Sequence, residues 1–252
     1  MTPAASRPAV RAVTFDFWDT IVAATVGSGD GMRVLQIDRF ATTIAEAGHH
    51  VPREELVDAF DANWVRFEER WIANSGQYTP AQSVDFIAER VGVELVDGLR
   101  AELIDGFRRV GEDVELETGA GIEEALTTLR GAGVRLGIVC DVGLTSSPTL
   151  RRRLEWLGLL DLFEAWSFSD ETGWFKPAAE AFAPALEGLG VDDPAAAAHV
   201  GDSRRTDVAG ALALGMVAVR FVGFHDRPPG SGPEAHHVMD DHRSLPGLLG
   251  VA

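Results

Sequence analysis

The segment AVTFDFWDTIV, residues 12 to 22, is the part of the chain that decides the fold. An apolar run leads into Asp16, and Asp19 follows after Phe17 and Trp18, before the chain becomes apolar again. An apolar run of this kind is typical of a strand buried within a sheet. Carboxylates at the end of a buried strand cost free energy unless they have a partner or a function. The segment therefore predicts a first strand that ends at a functional site.

The pattern of apolar strands continues along the chain and alternates with helices. Near-continuous apolar runs, which are typical of parallel strands covered on both faces, occur at 9–15, 134–140, 165–168, 196–200 and 216–222. Amphipathic segments at 121–133, 178–190 and 204–215 lie between the later runs, and each ends at or near a glycine. This alternation predicts an α/β fold built on an open, Rossmann-like parallel sheet.

Residues 26 to 114 differ, because their apolar side chains recur at helical spacing and no strand pattern is present. The predicted apolar stripes are Ile37, Phe40 and Ile44; Leu56, Phe60, Trp64, Phe67 and Trp71; and Leu95, Leu99, Leu103 and Phe107. A segment of this length is too long for a loop. We therefore expect an inserted α-helical cap domain at 26–114, and a core domain formed by residues 1–25 and 115–252.

Composition excludes several classes of partner. The chain has 252 residues and a formal net charge of −17, which repels nucleic acid phosphates and anionic lipids. It contains no run of 18 apolar residues and no apolar signal segment near its N-terminus, so no membrane association is expected. Its one cysteine, Cys140, cannot form an intrachain disulfide, which favours a cytoplasmic location. The oligomeric state is not defined by the sequence.

Polar residues follow four predicted strands, at the edge where an open parallel sheet binds its ligands. They are Asp16 and Asp19; Cys140 and Asp141; Lys176, the only lysine of the chain; and Asp202 and Asp207. Carboxylates that face one point repel each other unless a cation neutralises them, and Mg²⁺ prefers such oxygen ligands. A carboxylate can also attack a phosphate ester to form an aspartyl-phosphate. His199, within a strand pattern, is interpreted as a core histidine.

In the same order along the chain, the segments DFWDT, GIVCD, GWFKP and GDSRRTD resemble the four motifs of the haloacid dehalogenase (HAD) superfamily. The helical insertion after the first motif resembles the α-helical cap of that family. The resemblance implies a hydrolase, and specifically a Mg²⁺-dependent phosphatase that acts on a small phosphate ester through an aspartyl-phosphate intermediate.

The resemblance also implies a role for each matching residue. Asp16 would be the nucleophile and a metal ligand, the Trp18 backbone carbonyl a second ligand, and Asp202 a third. Asp207 would lie behind these ligands and hold a metal-bound water or Lys176. Lys176 would stabilise Asp16 and the transferring phosphoryl group. Cys140 and the backbone N–H of Asp141 would bind the phosphate.

Two residues depart from the family pattern. Phosphatases of the family usually have a second aspartate two residues after the nucleophile, which protonates the leaving oxygen, whereas this chain has Trp18, which cannot exchange a proton at neutral pH. Cys140 replaces a serine or threonine hydroxyl with a weaker donor. Asp19 either substitutes for the missing acid or caps the turn beside the strand. Asp141 or a carboxylate of the cap is another candidate acid.

Three alternative functions differ from phosphate ester hydrolysis. A non-catalytic protein that binds a phosphorylated ligand or a protein partner is compatible with Trp18, but the retained buried acids oppose it. A 2-haloacid dehalogenase also resembles this chain at Trp18, but Asp202 would repel a carboxylate substrate. A phosphonoacetaldehyde hydrolase needs a lysine in the cap, and residues 26–114 contain none.

Overall fold

The predicted first strand is present as β1, Ala12–Phe15, and all four of its residues are buried. The computed structural model describes residues 9–25, 28–73, 78–226 and 232–251. Within these residues β1 lies inside a six-stranded sheet with the order β5-β4-β1-β6-β7-β8. Every pairing in this sheet is parallel. The prediction of an open parallel α/β sheet is therefore confirmed.

The other strands of this sheet coincide with the predicted apolar runs, apart from β8. They are β4 (Arg135–Cys140), β5 (Ala165–Phe168), β6 (Ala197–Gly201), β7 (Val217–Phe221) and β8 (His237–Met239). β8 was not predicted because it is short and carries a histidine and an exposed valine instead of an apolar run. A separate two-stranded sheet, formed by β2 (Val22–Ala24) and β3 (Leu116–Thr118), was also not predicted.

Helices connect the strands of the large sheet or, in the case of α10, follow its last strand, and the longer ones among them have the predicted amphipathic pattern. They are α5 (Ile122–Gly131), α6 (Ser147–Trp156), α7 (Ser169–Thr172), α8 (Ala179–Gly188), α9 (Ala209–Ala213) and α10 (Leu245–Leu248). On α8, Phe182, Ala185 and Leu186 belong to the same buried cluster as Ala12 of β1. This packing fixes the strand that carries Asp16.

The segment between β2 and β3 is helical, as the apolar spacing predicts. Its helices are α1 (Ser28–Glu46), α2 (Arg53–Ala73), α3 (Pro80–Arg90) and α4 (Asp97–Asp113). Most stripe residues are buried, but Trp64 is 49% exposed, so its assignment to the core was wrong. On α2 the neighbouring position, Asn63, is buried instead, and it accepts a hydrogen bond from the Tyr78 hydroxyl at 2.8 Å.

The chain divides into two compact units. One comprises Met1–Ala23, Leu116–Asp141 and Leu154–Ala252, and the other comprises Ala24–Glu115 and Val142–Arg153. The second unit thus contains Val142–Arg153, which includes the first seven residues of α6, in addition to α1–α4. In the described part of the chain, a helix with the length and apolar character needed to span a membrane does not occur.

His242 anchors the C-terminal segment of the chain to the turn after β1. Its Nε2 donates to the backbone carbonyl of Thr20 at 3.0 Å, and its ring stacks on Phe221 with the centroids 4.2 Å apart. Its backbone N–H donates to the carbonyl of Ala120 at 2.8 Å. Burial lowers the pKa of His242 to about 4, although the Thr20 carbonyl and Asp241 oppose this shift.

We therefore expect His242 to make the fold less stable in acid. His242 binds a proton near pH 6.5 in the unfolded chain and only near pH 4 in the folded protein. Its contribution to the free energy of unfolding is therefore fully present above pH 6.5 and is lost as the pH falls toward 4. Between about pH 7.5 and about pH 5 this histidine alone lowers the free energy of unfolding by about 2 kcal/mol. Urea denaturation at both pH values should show that His242→Gln removes this part of the pH dependence. His50→Gln, at an exposed histidine, serves as the control and should retain it.

Candidate active site

The ends of adjacent strands bring the predicted site residues together. Asp16 follows β1 directly, and its backbone N–H donates to the carbonyl of Val200 on β6 at 2.8 Å, which continues the parallel pairing. Cys140 is the last residue of β4, and Asp202 follows the last residue of β6. Because β4 and β6 flank β1 on its two sides, these side chains lie at one edge of the sheet.

Lys176 connects two of the predicted carboxylates. Its side chain is 2% exposed, and its Nζ lies 2.6 Å from Oδ1 of Asp16 and 2.6 Å from Oδ1 of Asp207. The backbone N–H of Lys176 donates to Oδ1 of Asp141 at 3.0 Å. The Asp141 carboxylate therefore holds the segment that carries the lysine, a contact that the sequence analysis did not foresee.

Asp207 also binds residues other than Lys176. Its Oδ2 accepts from the backbone N–H of Ser203 at 2.9 Å, and its Oδ1 lies 3.1 Å from Nε2 of His199. Nδ1 of His199 lies 2.8 Å from the Thr14 hydroxyl. His199 is buried, as interpreted from the sequence, but its contact with Asp207 was missed. Strand alternation places His199 inside the sheet but does not show which loop residue it contacts.

The site holds three carboxylates in close proximity. Asp16, Asp202 and Asp207 are all buried and offer oxygen atoms that lie within 4.8 Å of one another, and the Lys176 ammonium contacts Asp16 and Asp207. Burial raises the pKa of Asp16 well above its usual value, and the carboxylates of Asp207 and Asp202 raise it further, while Lys176 opposes them. A further cation at this position would relieve the repulsion.

Lys176 and Asp207 are stabilised as an ion pair. Burial disfavours the charged form of Lys176, but Asp16 and Asp207 outweigh it and raise the pKa of the ammonium well above its usual value. Burial likewise disfavours the ionised form of Asp207, but Lys176 and the hydrogen bond from His199 lower its pKa. The lysine therefore remains an ammonium and Asp207 a carboxylate at neutral pH.

Cys140 is buried beside the nucleophile candidate. Burial, followed by the charge of Asp16, raises the pKa of its thiol well above the usual value. The residue is thus a neutral thiol at neutral pH, and its S–H is a weak hydrogen-bond donor. Its assignment to phosphate binding remains a prediction.

Trp18 and Asp19 form the turn that follows β1. Trp18 is half-buried, with its ring edge against Phe17 at a centroid distance of 5.0 Å. Asp19 has a φ of 54°, in the left-handed region, and its backbone N–H donates to the carbonyl of Val22 at 2.8 Å. Aspartate tolerates this conformation better than most residues. The position of Asp19 is consistent with a turn-forming role, and a role as replacement acid is still only predicted.

Gly201 allows Asp207 to approach the end of β6. A Cβ atom at residue 201 would lie 2.2 Å from Cγ and 2.5 Å from Cβ of Asp207. The Asp207 side chain occupies the space that the side chain of any larger residue at position 201 would need. This contact explains why a glycine precedes Asp202 in the fourth motif.

The family model for haloacid dehalogenase-like hydrolases matches residues 10–215. The match covers most of the chain and includes every residue of the site described above. The chain therefore belongs to the haloacid dehalogenase-like hydrolase family and is a hydrolase of the HAD superfamily. This confirms the resemblance drawn from its four sequence motifs.

Two relatives of this chain are a hydrolase domain-containing protein and a nucleotidase. It is 34% identical over 133 residues to haloacid dehalogenase-like hydrolase domain-containing protein 3 of Bos taurus, covering 50% of this chain and 51% of that protein. It is 31% identical over 114 residues to the pyrimidine 5'-nucleotidase YjjG of Escherichia coli (strain K12), covering 45% and 49%. The matched part spans about half the length of these curated relatives.

The same fold occurs in the solved structure of a 2-haloacid dehalogenase from Pseudomonas syringae pv. Tomato DC3000. The two structures align with a TM-score of 0.70 at 21% sequence identity, over 96% of this chain and 98% of that one. At this level of identity the likeness concerns the fold. The chemistry must be argued from the side chains of the site.

Substitution of Gly201 tests the packing of Asp207. We expect Gly201→Ala to lower the free energy of unfolding by about 1–3 kcal/mol, because the new methyl group overlaps the Asp207 side chain. Gly131→Ala is the matched control, since a Cβ at that helical position meets no atom within 4 Å, and alanine there should leave stability unchanged or raise it by up to about 1 kcal/mol. Urea denaturation measures both values. Equal stability of Gly201→Ala and the wild type would contradict the described packing.

Proposed function

We propose that this protein is a Mg²⁺-dependent phosphatase that hydrolyses a small phosphate ester through an aspartyl-phosphate on Asp16. The observation that carries the proposal is the buried cluster of Asp16, Asp202 and Asp207 beside Lys176. The similarity to a pyrimidine 5'-nucleotidase supports a phosphate ester as the substrate class. The single cysteine supports the predicted cytoplasmic location.

The donor set fits a magnesium ion. The cluster offers carboxylate oxygens only, which Mg²⁺ prefers over the nitrogen and sulfur ligands that suit zinc. Asp16, Asp202 and the backbone carbonyl of Trp18 would be the ligands of the ion. Asp207, which binds Lys176, would hold a water molecule on the ion and would not contact the ion directly. When bound, the ion supplies positive charge that offsets the carboxylates and the phosphate oxygens.

Asp16 acts as the nucleophile in the proposed reaction. One of its carboxylate oxygens attacks phosphorus, the bond between phosphorus and the ester oxygen breaks, and the phosphoryl group is transferred to Asp16. The ammonium of Lys176 lies 2.6 Å from Oδ1 of Asp16 and stabilises negative charge on the transferring group. A water molecule then attacks phosphorus, the bond between phosphorus and Asp16 breaks, and inorganic phosphate leaves with Asp16 restored.

Trp18 determines which esters react well in this proposal. The indole cannot give a proton to the leaving oxygen at neutral pH, so that oxygen departs as an anion and takes its proton from solvent. Esters of acidic alcohols, such as aryl phosphates, are less affected because their leaving groups are stable anions. General acid catalysis is worth about 10²–10⁴-fold in rate, so alkyl phosphates should be much poorer substrates.

The alternatives receive less support from the site. A 2-haloacid carries its own carboxylate, which Asp202 and Asp207 would repel in the absence of a cation. Buried charges cost free energy. A non-catalytic binding protein would gain nothing from a buried cluster of Asp16, Lys176 and two further carboxylates that offsets this cost. Both remain outcomes of the experiment below.

The proposal predicts Mg²⁺-dependent turnover of phosphate esters. Purified protein with an aryl phosphate should release phosphate in the presence of Mg²⁺, and chelation of the metal should remove the activity. Asp16→Asn should lower kcat by about 10³-fold or more because it removes the nucleophile. Phosphate release, followed colorimetrically, measures each rate.

The controls for this experiment separate the three functions. Asp240→Asn, at an exposed aspartate, should keep wild-type activity. A 2-haloacid is offered in parallel, and release of halide without Mg²⁺ would favour the dehalogenase. If neither substrate class reacts above the Asp16→Asn background across a panel of phosphorylated metabolites, the non-catalytic alternative is favoured.

Trp18→Asp tests the role of the tryptophan. An aspartate at this position supplies a proton donor for the leaving oxygen, so kcat for an alkyl phosphate should rise by about tenfold or more, while kcat for p-nitrophenyl phosphate should change by less than about threefold. Trp18→Phe is the control and should keep the wild-type ratio between the two esters. An equal change for both esters in Trp18→Asp would show that Trp18 does not act through the leaving group.

A further inference from the structure

His199 is a buried histidine that the reaction steps above do not use. It is 1% exposed and pairs in register with Thr14, its neighbour on β1. Its Nε2 lies 3.1 Å from Oδ1 of Asp207, and its Nδ1 lies 2.8 Å from the hydroxyl of Thr14. The edge of its ring packs against Phe182 with a centroid distance of 5.0 Å and an angle of 80°. Both nitrogens and the ring therefore have defined partners.

The Asp207 carboxylate assigns a proton to Nε2 of the imidazole. The Thr14 hydroxyl lies 2.8 Å from Nδ1 of His199 and donates to the carbonyl of Ala198 at 3.3 Å. Without a proton on Nε2, the lone pair of that nitrogen would face the Asp207 carboxylate at 3.1 Å, which is repulsive. The Nε2–H of His199 therefore donates to Asp207.

Asp207 then has three donors arranged around its carboxylate. Lys176 Nζ and His199 Nε2 both reach Oδ1, at 2.6 and 3.1 Å, and the Ser203 N–H reaches Oδ2 at 2.9 Å. Donors on both oxygens fix the plane of the carboxylate. Because the same Lys176 Nζ lies 2.6 Å from Asp16, the orientation of Asp207 sets where the ammonium is held relative to the nucleophile candidate.

We propose that His199 is a positioning residue, whose Nε2–H fixes the Asp207 carboxylate and, through it, the ammonium of Lys176 against Asp16. The effect on turnover rests on the proposed function, in which Asp16 attacks the phosphate ester. In the proposed steps His199 does not contact the substrate, so its loss should lower kcat and leave KM nearly unchanged. No change in the protonation of His199 is required.

Two substitutions at His199 distinguish positioning from packing. His199→Phe keeps the ring and its contact with Phe182 but removes both nitrogens, and we expect kcat to fall about ten- to hundredfold with KM within about twofold. His199→Gln places an amide N–H near the position of Nε2 and should recover most of kcat. Ser167→Ala is the control, because it removes a different buried hydrogen bond, from the Ser167 hydroxyl to the Ala181 carbonyl, and it should leave kcat within about twofold.

A second measurement does not depend on turnover. In protein labelled with ¹⁵N-histidine, long-range ¹H–¹⁵N spectra should show His199 with a proton on Nε2. Asp207→Asn should shift the Nε2–H resonance, whereas Asp240→Asn should not. An unprotonated Nε2, or an Nε2–H resonance that does not respond to Asp207→Asn, would overturn the proposal.

The kinetic measurements on the His199 variants can also overturn the proposal. The proposal is wrong if His199→Phe keeps wild-type kcat, if His199→Gln is no better than His199→Phe, or if Ser167→Ala loses as much kcat as His199→Phe. Absence of turnover in the wild type would overturn the proposed function instead, and the imidazole spectrum would then decide whether His199 holds Asp207.

Discussion

The buried ammonium of Lys176 is the group on which the rest of the site depends. It bridges Asp16 and Asp207, which belong to different strand ends, with both contacts at 2.6 Å. Without it Asp16 and Asp207 would lose the ammonium that both of them contact, and loss of one partner from such a buried set is strongly destabilising. The lysine is in turn held through its backbone by Asp141. The end of the sheet is therefore organised by one cation and the acids around it.

In the proposed reaction, different parts of the site transfer the phosphoryl group and assist the leaving group. Asp16, Lys176 and the neighbouring acids form a compact cluster at the end of β1 and β6, whereas position 18 carries an indole. Under that proposal the site keeps its nucleophile and the electrostatic support for it, and Trp18 supplies no proton to the leaving oxygen. Substrate selectivity then follows from the chemistry of the leaving group as well as from shape.

Much of this arrangement could be predicted from the chain, and the exceptions have physical causes. The strand that ends at Asp16 was predictable because a continuous apolar run and parallel pairing leave few alternatives. The exposure of Trp64 on α2 could not be predicted. Helical spacing shows which residues share a face of the helix, but it does not show which residue of that face lies at the border and remains exposed. The short strand β8 was missed because a three-residue edge strand carries too little pattern.

The sequence by itself determined the α/β class, the alternation of β1 and β4–β7 with helices, and the residues at the ends of those strands, because hydrophobic periodicity and motif order are local properties of the chain. Only the tertiary structure decided which of these groups bond to one another. The Asp141 carboxylate binds the backbone of Lys176, and His199 joins Thr14 to Asp207 across adjacent strands. These contacts depend on side-chain direction and loop path, which are set by packing between segments far apart in the chain.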